Sequence, residues 1–414
     1  MWLVHIRCHR SILFYPGKGL KDKCHCSQNR LNCTFNNRGV KNMSVQIEEV
    51  KSKKSMRWFV YFPEKLYRAD PRWVPPLWIE ERKSYTRKNP VLAHSDYTLF
   101  IAFKEKKVVG RILAYVDHNF NRHFNSTAGF FGAFECVDDL AVAKALFHRA
   151  EQWIKSCRMT AVMGPINPIA ECWGFLYKGF ESPPVFMAPY NPPYYNDFME
   201  SLGYVKVMDL LAYEGDMKKG YCIPDRFVRF REKLLLKKPN LRIRKLDFRQ
   251  LPREAENIWR ISNISLQGNW GYVPLDMGEL LAMFKKLKIV VDEDAVLFVE
   301  DSGMPVGYCL GFPDLNIILK QIRGRLFPFG FVKLLSSVKK ITDFRLWALA
   351  VLPTYKNMGL DVLLYMSLYE SLKSRRVHLE ANWVLENNAR MRNALEKLNL
   401  LQTKVYRIYE KSLE

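Results

Sequence analysis

Two carboxylates lie in strand-like segments of the sequence, and each is a candidate for acid–base chemistry. Glu380 alternates with His378 and Asn382 along an apolar segment, so the three side chains share one face of a predicted strand. Glu135 ends a similar segment nearer the amino terminus. A carboxylate removed from water can accept a proton from an attacking nucleophile. The alternative for each is a salt-bridged or solvated strand residue.

A third feature is a turn that could bind phosphate. Lys356 and Gly359 follow the apolar segment 346–353 and come just before a helical pattern. Backbone N–H groups at the start of a helix attract phosphate, and a glycine permits close approach. Asp361 lies in the same turn, where its carboxylate either favours the helix dipole or repels a phosphate.

The predicted strands and helices that carry these residues occur twice in the chain. Gly110 and Gly307 lie in two predicted hairpins and are 197 positions apart, and Asn191 and Asn388 have the same separation. Each half reads as strand, helices, hairpin, strand, helix, strand, helix, strand. The sequence therefore predicts two similar mixed α/β domains and a charged linker: 43–216, 241–414 and 217–240, respectively.

The first 42 residues differ from the remainder. They hold four of the nine cysteines, with eight basic residues and one acidic residue. Their Cys and His spacing fits no standard zinc site, so we expect a disordered or non-native extension and no metal. The whole chain has a formal charge of +22, which favours an acidic partner. No apolar run reaches the ~18–20 residues that a membrane-spanning helix needs.

The order of elements resembles that of the GNAT acyltransferases. Lys356 and Gly359 match the family's loop pattern, Arg/Gln-x-x-Gly-x-Gly/Ala, although Asp361 replaces the last small residue. Asn388 opens a segment that resembles the family's Asn-x-x-Ala helix, with Met391 in the place of the alanine, and Leu395 stands where a tyrosine often acts as the acid. Over residues 43–414 the chain resembles the bacterial tandem GNAT-like proteins, in particular a ceramide synthase-like branch that N-acylates a sphingoid base.

This resemblance implies two acyl-CoA N-acyltransferase domains in an α/β fold, with a CoA or carrier-protein thioester as co-substrate and no metal. In such domains the fourth strand and the loop after it bind CoA, and a backbone N–H of that strand usually stabilises the oxyanion. The implied CoA-binding residues are Leu349, Val351, Lys356, Gly359 and Leu360. The implied catalytic residues are Glu380, Glu135 and Asn388.

A segment rich in Gly, Pro and aromatic residues, 164–195, is a candidate acceptor pocket. Apolar walls with a few amides and carboxylates suit a long-chain amine. The alternative is a proline-stiffened loop packed over the sheet, and the resemblance favours the pocket. The candidate substrate-binding residues are Asn167, Glu171, Trp173, Tyr190, Asn191, Tyr194 and Tyr195.

An insertion in the second half combines apolar bulk with positive charge. Residues 317–340 contain six basic residues and no acidic residue. Such a composition predicts contact with an anionic membrane surface, which would place the protein in the cytoplasm, peripheral on the inner membrane. The alternative is a helix packed on the domain with a solvated basic rim.

We therefore expect an N-acyltransferase that acts on a lipid-like amine. The rival hypothesis is a tandem GNAT-fold lipid- or ligand-binding protein that has lost catalysis. Leu395, Asp361 and the absence of the loop motif from the first half favour this rival. Nucleic-acid binding would depend on net charge alone, and the sequence contains no zinc-finger or RNP motif, so we expect no such partner.

Overall fold

The computed structural model of the chain describes residues 44–168, 172–287 and 290–414. The predicted extension 1–42 and the candidate Glu171 lie outside these ranges. Residues 45–414 form one compact unit. Within the described ranges, no helix has the length and apolar character needed to cross a bilayer.

One mixed sheet of thirteen strands runs through the described residues. In spatial order the strands are β1-β2-β3-β4-β5-β13-β7-β12-β11-β10-β9-β8, and β6 pairs with β13. Their bounds are β1 Gln46–Glu49, β2 Ser95–Lys104, β3 Lys107–Asp117, β4 Ala128–Cys136, β5 Ala161–Gly164, β6 Phe175–Lys178, β7 Val205–Asp216, β8 Leu241–Lys245, β9 Val296–Asp301, β10 Met304–Pro313, β11 Asp343–Val351, β12 His378–Leu385 and β13 Leu401–Ser412.

The two halves of this sheet repeat the same pairing. In each half four strands pair antiparallel, and a parallel pair follows: β4 with β5, and β11 with β12. Gly110 faces Cys136 in the first half, and Gly307 faces Val351 at the same place in the second. The predicted duplication of a GNAT-like unit is confirmed by this symmetry.

The final strand of each half pairs with strands of the other half. β13 lies beside β5, and β7 lies beside β12, while β7 and β13 pair with each other at the centre of the sheet. Neither half therefore completes its own sheet. The domain bounds 43–216 and 241–414 stay a prediction, because the sheet joins the two halves without a break at either bound.

Helices cover both faces of this sheet. Within the described residues they are α1 Lys53–Leu66, α2 Trp78–Ser84, α3 Pro90–Ala93, α4 His118–Phe124, α5 Leu140–Ser156, α6 Tyr194–Ser201, α7 Asp225–Lys237, α8 Leu251–Ser265, α9 Met277–Leu287, α10 Asn316–Gln321, α11 Gly330–Ser337, α12 Leu360–Leu372 and α13 Ala389–Lys397. The linker predicted at 217–240 thus contains a helix, α7.

The helices that follow the two parallel strands occupy equivalent places but are covered differently. α5 buries one apolar face, which includes Leu146 and Phe147, and keeps a polar outer face. α12 is apolar on nearly all sides, and Leu363 and Leu364 are fully buried. Phe227 and other residues of α7 pack against the same core as α12, so the linker helix covers the side that solvent would otherwise reach.

Candidate active site

β11 and β12 separate part-way along their length. Their parallel register ends at the pair Leu346 and Ala381, although both strands continue for several residues. A bulge in the pairing of β10 with β11 lies at the same level. Beyond the last pair, Leu349 and Val351 are partly exposed. The second half therefore has an opening between its fourth and fifth strands, which we call the second-half cleft.

Glu380 lies one residue before the point where the strands part. Its side chain is 2% exposed and forms a salt bridge with Lys404, whose Nζ lies 2.8 Å from Oε2. The Asn382 amide donates to Oε1 at 2.5 Å. Two residues were predicted to share this strand face with Glu380. Asn382 contacts Glu380, whereas His378 lies between Asp343 and Glu214.

Three buried polar atoms beside Glu380 have no hydrogen-bond partner among the described residues. They are Asn382 Oδ1, Trp383 Nε1 and Tyr406 Oη. The Trp383 and Tyr406 rings lie 6.0 Å apart, and the Arg345 guanidinium lies 5.1 Å from the Trp383 ring. Most buried polar groups in proteins are paired with protein or water. These atoms therefore offer unused donors and acceptors to a ligand or to water.

A segment of the first half lies against this region. Arg345 donates to the Phe186 carbonyl at 3.0 Å, and the Phe186 N–H donates to Asp314 at 2.8 Å. Asn316 donates to the Pro184 carbonyl at 2.8 Å. Burial raises the pKa of Asp314 to about 7. The proline-rich segment of the first half thus contributes to the surroundings of the second-half cleft.

The loop before α12 carries a positive balance of charge. Gly359 is the N-cap of the helix at a φ of 76°, and within the first turn the Asp361 carboxylate accepts from the Val362 N–H at 3.0 Å. Asp361 pairs with Arg390 at 3.2 Å, and Arg390 also donates to Asn357 at 3.3 Å. Lys356 is exposed. Because Arg390 offsets the charge of Asp361, the repulsion that Asp361 would exert on a phosphate is reduced.

The same loop is partly covered by the linker helix. The Phe230 ring of α7 lies so close to Gly359 that a Cβ at this position would clash with it. The ring is 36% exposed, so it borders solvent rather than the core. A phosphate group approaching the first turn of α12 would therefore lie beside an aromatic edge.

The corresponding opening in the first half is filled. After β5 ends, the Ile166 N–H donates to the Phe131 carbonyl at 2.9 Å. The Asn167 side chain then accepts from the Ala133 N–H at 2.5 Å and donates to the Cys172 carbonyl at 2.8 Å. A backbone N–H on the fourth strand, the group the fold would use for an oxyanion, is thereby occupied.

The first-half helix start is also occupied by a carboxylate. Asp139 caps α5 by accepting from the N–H groups of Ala141 at 3.0 Å and Val142 at 3.4 Å. Lys104 forms a salt bridge with Asp139 at 2.8 Å. These contacts lower the pKa of Asp139 against the effect of burial. Since an anion already satisfies this helix start, the first half offers no comparable place for a phosphate.

Glu135 forms a buried cluster at the end of β4. Tyr67 donates to its carboxylate at 2.6 Å and Tyr195 at 2.9 Å, and Arg111 lies 3.9 Å away. Burial raises the pKa of Glu135 to about 7, although Arg111 and the two hydroxyls act in the opposite direction. A carboxyl group with such a pKa can gain or lose a proton at neutral pH.

The aromatic candidates of the 164–195 segment mostly contact the first half. Tyr195 binds Glu135, and Tyr194 donates to the Cys136 carbonyl at 2.8 Å. Tyr190 donates to Asp70 at 2.5 Å. The structure thus brings Tyr194 and Tyr195 to the first-half carboxylate rather than to the second-half cleft.

The remaining candidates of this segment hold the backbone in place. Asn191 is buried and accepts from the Leu176 N–H at 2.6 Å. Trp173 packs in the aromatic core and borders Gly271 of the second half. Asn167 fills the first-half opening, as described above. Their roles in substrate binding stay predictions.

Asn388 caps α13, where its side chain accepts from the Met391 N–H at 3.1 Å. Leu395, at the place where the family often has a tyrosine, is fully buried. Leu360 is buried as well, on the first turn of α12. The structure gives Asn388 a clear role in starting the helix, and its catalytic role stays a prediction.

Several residues of these sites cannot be identified from the sequence alone. Lys404 and Tyr406 come from β13, distant in sequence from Glu380, and Tyr67 comes from the end of α1. No local pattern indicates them. Arg390 had a signal, since it lies two residues after Asn388 in the helix opening. Among the described residues, no group of His, Cys, Asp and Glu could hold a metal ion.

Several known proteins are similar to this chain in sequence or in structure. No family model matches the chain. Bacterial ceramide synthase from Caulobacter vibrioides is 31% identical over 382 residues, covering 90% of this chain and 98% of that protein. Protein YghO from Escherichia coli is 32% identical over 373 residues, covering 87% of this chain and 94% of YghO. A tandem GNAT protein of the clavulanic acid pathway superposes with a TM-score of 0.55 at 10% identity, over 90% of this chain and 99% of its own.

The chain belongs to the bacterial tandem GNAT-like family. A glucosamine N-acetyltransferase region of a fungal multi-domain enzyme has the same fold, with a TM-score of 0.53 at 11% identity over 91% of this chain and 39% of that chain. At such identities the solved structures establish the fold alone. For this tandem GNAT-like protein the fold predicted from the sequence, two acyl-CoA N-acyltransferase units in a mixed sheet, is confirmed.

Proposed function

We propose that the protein is an N-acyltransferase that moves an acyl group from a CoA or carrier-protein thioester to an amine in the second-half cleft. The observation that carries this proposal is the separation of β11 from β12 beyond Leu346 and Ala381. The equivalent space in the first half is filled by Asn167. We therefore assign the acyl thioester to the second of these two openings.

The residues around the cleft support a thioester donor. Leu349 and Val351 border the opening, and Leu360 begins the helix beyond it. Lys356 and Arg390 bring positive charge to the first turn of α12, which suits the phosphates of CoA or of a carrier protein.

The chemistry requires few groups. The amine nitrogen forms a bond to the thioester carbonyl carbon as it loses a proton, and the carbon–sulfur bond then breaks to release a thiol. We assign proton acceptance to Glu380, the carboxylate nearest the point where the strands part. A free backbone N–H of β11 would stabilise the oxyanion.

A long-chain, sphingoid-type amine is the proposed acceptor. The name of the Caulobacter relative, bacterial ceramide synthase, supports such an acceptor. The unpartnered atoms of Asn382, Trp383 and Tyr406 would pair with amino and hydroxyl groups, while the aromatic rings would contact the chain. These features support a polar head at the cleft. They do not favour nucleic acid as a partner.

The proposal is tested by thiol release from acyl-CoA and acyl-carrier protein of several chain lengths, with sphinganine as the acceptor and mass spectrometry of the product. Val351→Trp should fill the cleft and lower turnover at least tenfold. Lys356→Ala should raise KM for the donor about threefold to tenfold and leave kcat nearly unchanged, since an exposed ion contact contributes about 1 kcal/mol. Lys373→Ala, at the far end of α12, is the matched control.

A second candidate function is lipid or ligand binding without catalysis. It is favoured by the contact of Phe230 with Gly359 and by the buried Leu395 in place of a tyrosine. Binding of a long-chain thioester or amine without thiol release, at every chain length tried, would establish this candidate. It would also refute the transferase proposal.

A further inference from the structure

The insertion of the second half exposes a group of apolar side chains. Phe327 is 80% exposed, Phe329 78% and Val332 65%. Phe331 and Leu335, nearby on α11, are exposed as well. We call residues 326–335 the aromatic tip. Single exposed apolar residues are common, but five within nine positions form a patch that costs free energy in water unless something covers it.

The base of this insertion is held firmly on the first half. The Trp78 indole donates to the Arg323 carbonyl at 3.1 Å, and the Trp78 N–H donates to the Gly324 carbonyl at 3.2 Å. Arg325 pairs with Glu64 at 2.9 Å. Ile318 and Leu319 are buried in a core shared with residues of the first half. The insertion therefore buries one part of its apolar surface and directs the remainder to solvent.

The charged residues of the insertion itself are all basic. All six basic residues of 317–340 are exposed, and this stretch has no acidic residue. They are Lys320, Arg323, Arg325, Lys333, Lys339 and Lys340. Protein–protein interfaces contain little lysine. At an anionic bilayer, by contrast, each basic residue near the surface contributes about 1 kcal/mol to the free energy of binding. Aromatic side chains with flanking lysines are typical of segments that enter the interfacial layer of a membrane.

We propose that the aromatic tip inserts into the surface of a bilayer that contains anionic phospholipids. Phe327 and Phe329 enter the acyl boundary, and the surrounding lysines and arginines contact the phosphate groups. The tip binds the bilayer independently of acyl transfer, so this surface works whether or not the transferase proposal is correct. For a lipid amine acceptor, it would bring the protein to the layer where the substrate resides.

The test is co-sedimentation of the full chain with vesicles of phosphatidylcholine alone or with 30% phosphatidylglycerol. We expect binding to the anionic vesicles that weakens as salt is added. Phe327→Ser with Phe329→Ser should lower vesicle affinity at least tenfold. Leu236→Ser, which changes an 82% exposed apolar residue on α7, should leave it unchanged.

Two results would overturn the proposal: no binding of the wild-type chain to anionic vesicles, or equal binding by the double Phe variant and by Leu236→Ser. Loss of self-association in the double variant, without any vesicle binding in the wild type, would assign the tip to a second copy of the chain instead. Thiol release with a water-soluble amine should be the same in all variants. That measurement separates a failure of membrane binding from a failure of acyl transfer.

Discussion

The two halves of the protein share one fold but differ at the two places where that fold binds a thioester. In the first half Asn167 occupies the opening between the parallel strands, and Asp139 caps the following helix. In the second half the register of the two strands ends at Leu346 and Ala381, and exposed Lys356 precedes a helix start whose N-cap is Gly359. The two halves therefore share the pairing of their strands but differ in the residues beside the parallel pair.

The two halves also differ in the partners of their buried carboxylates. Glu135 lies opposite Arg111 in the sheet and has a pKa raised by burial to about 7. The second half has Ala350 opposite Tyr308 at the same register, and its buried carboxylate, Glu380, lies on the next strand with Lys404 as a partner. Burial raises the pKa of Glu135 more than Arg111 and the two tyrosine hydroxyls lower it, whereas Glu380 has the Lys404 ammonium 2.8 Å away.

The largest expected effect concerns the ion pair of the second half. Glu380→Gln should lower the free energy of unfolding by about 3–5 kcal/mol, because it leaves the Lys404 ammonium buried without its partner. Chemical denaturation measures this loss. Glu380→Gln with Lys404→Met should recover most of the stability but not the turnover. Recovery of both would show that Glu380 serves structure alone.

The first-half carboxylate should give a change that depends on pH. Its pKa is about 7 in the folded chain against an ordinary value of 4.5. Between these values Glu135 is ionised in the unfolded chain and protonated in the folded chain, so its contribution to stability is complete below pH 4.5 and is lost as pH rises to about 7. By linkage the fall is about 3 kcal/mol. Glu135→Gln should not show this fall. Its free energy of unfolding relative to wild type should therefore increase from pH 5 to pH 8.

Denaturation of both proteins at several pH values measures this difference. A constant gap between wild type and Glu135→Gln across this range would contradict the assignment of a raised pKa. It would also remove the contrast with Glu380, whose substitution should be destabilising throughout.

The smallest expected effect concerns the filled opening. Asn167→Ala should lower the free energy of unfolding by about 1–2 kcal/mol, because the Ala133 N–H and the Cys172 carbonyl lose their partner. Thiol release should stay within twofold of wild type at a temperature where both are folded. A large loss of turnover with intact folding would mean that the first-half opening takes part in catalysis.

Much of the fold could be predicted from local pattern. Alternating apolar residues and turn residues indicated the hairpins, and the spacing of Gly110 from Gly307 indicated the duplication that the sheet register confirms. The strand predicted around Glu380 is β12, and the helical pattern predicted after Gly359 is α12. These elements were accessible because strand and helix periods are properties of neighbouring residues.

The sites were harder to predict, since their partners come from distant elements. Glu380 was a candidate from its strand position, but Lys404 lies 24 positions later and faces it only because β7 and β13 enter the sheet between the halves. Asn167 was a candidate for substrate binding, and its contact with Ala133 depends on how the chain turns after β5. Neither relation leaves a periodic signal.

The sequence by itself determined the mixed α/β elements, their repetition and the basic, apolar character of the insertion, because each of these follows from residue types at short spacing. The tertiary structure was needed to show that Asn167 fills the first-half opening, that Glu380 has an ammonium partner and that the phenylalanines of the aromatic tip are exposed. These outcomes depend on contacts between residues far apart in the chain, and such contacts exist only once the two halves have exchanged their last strands.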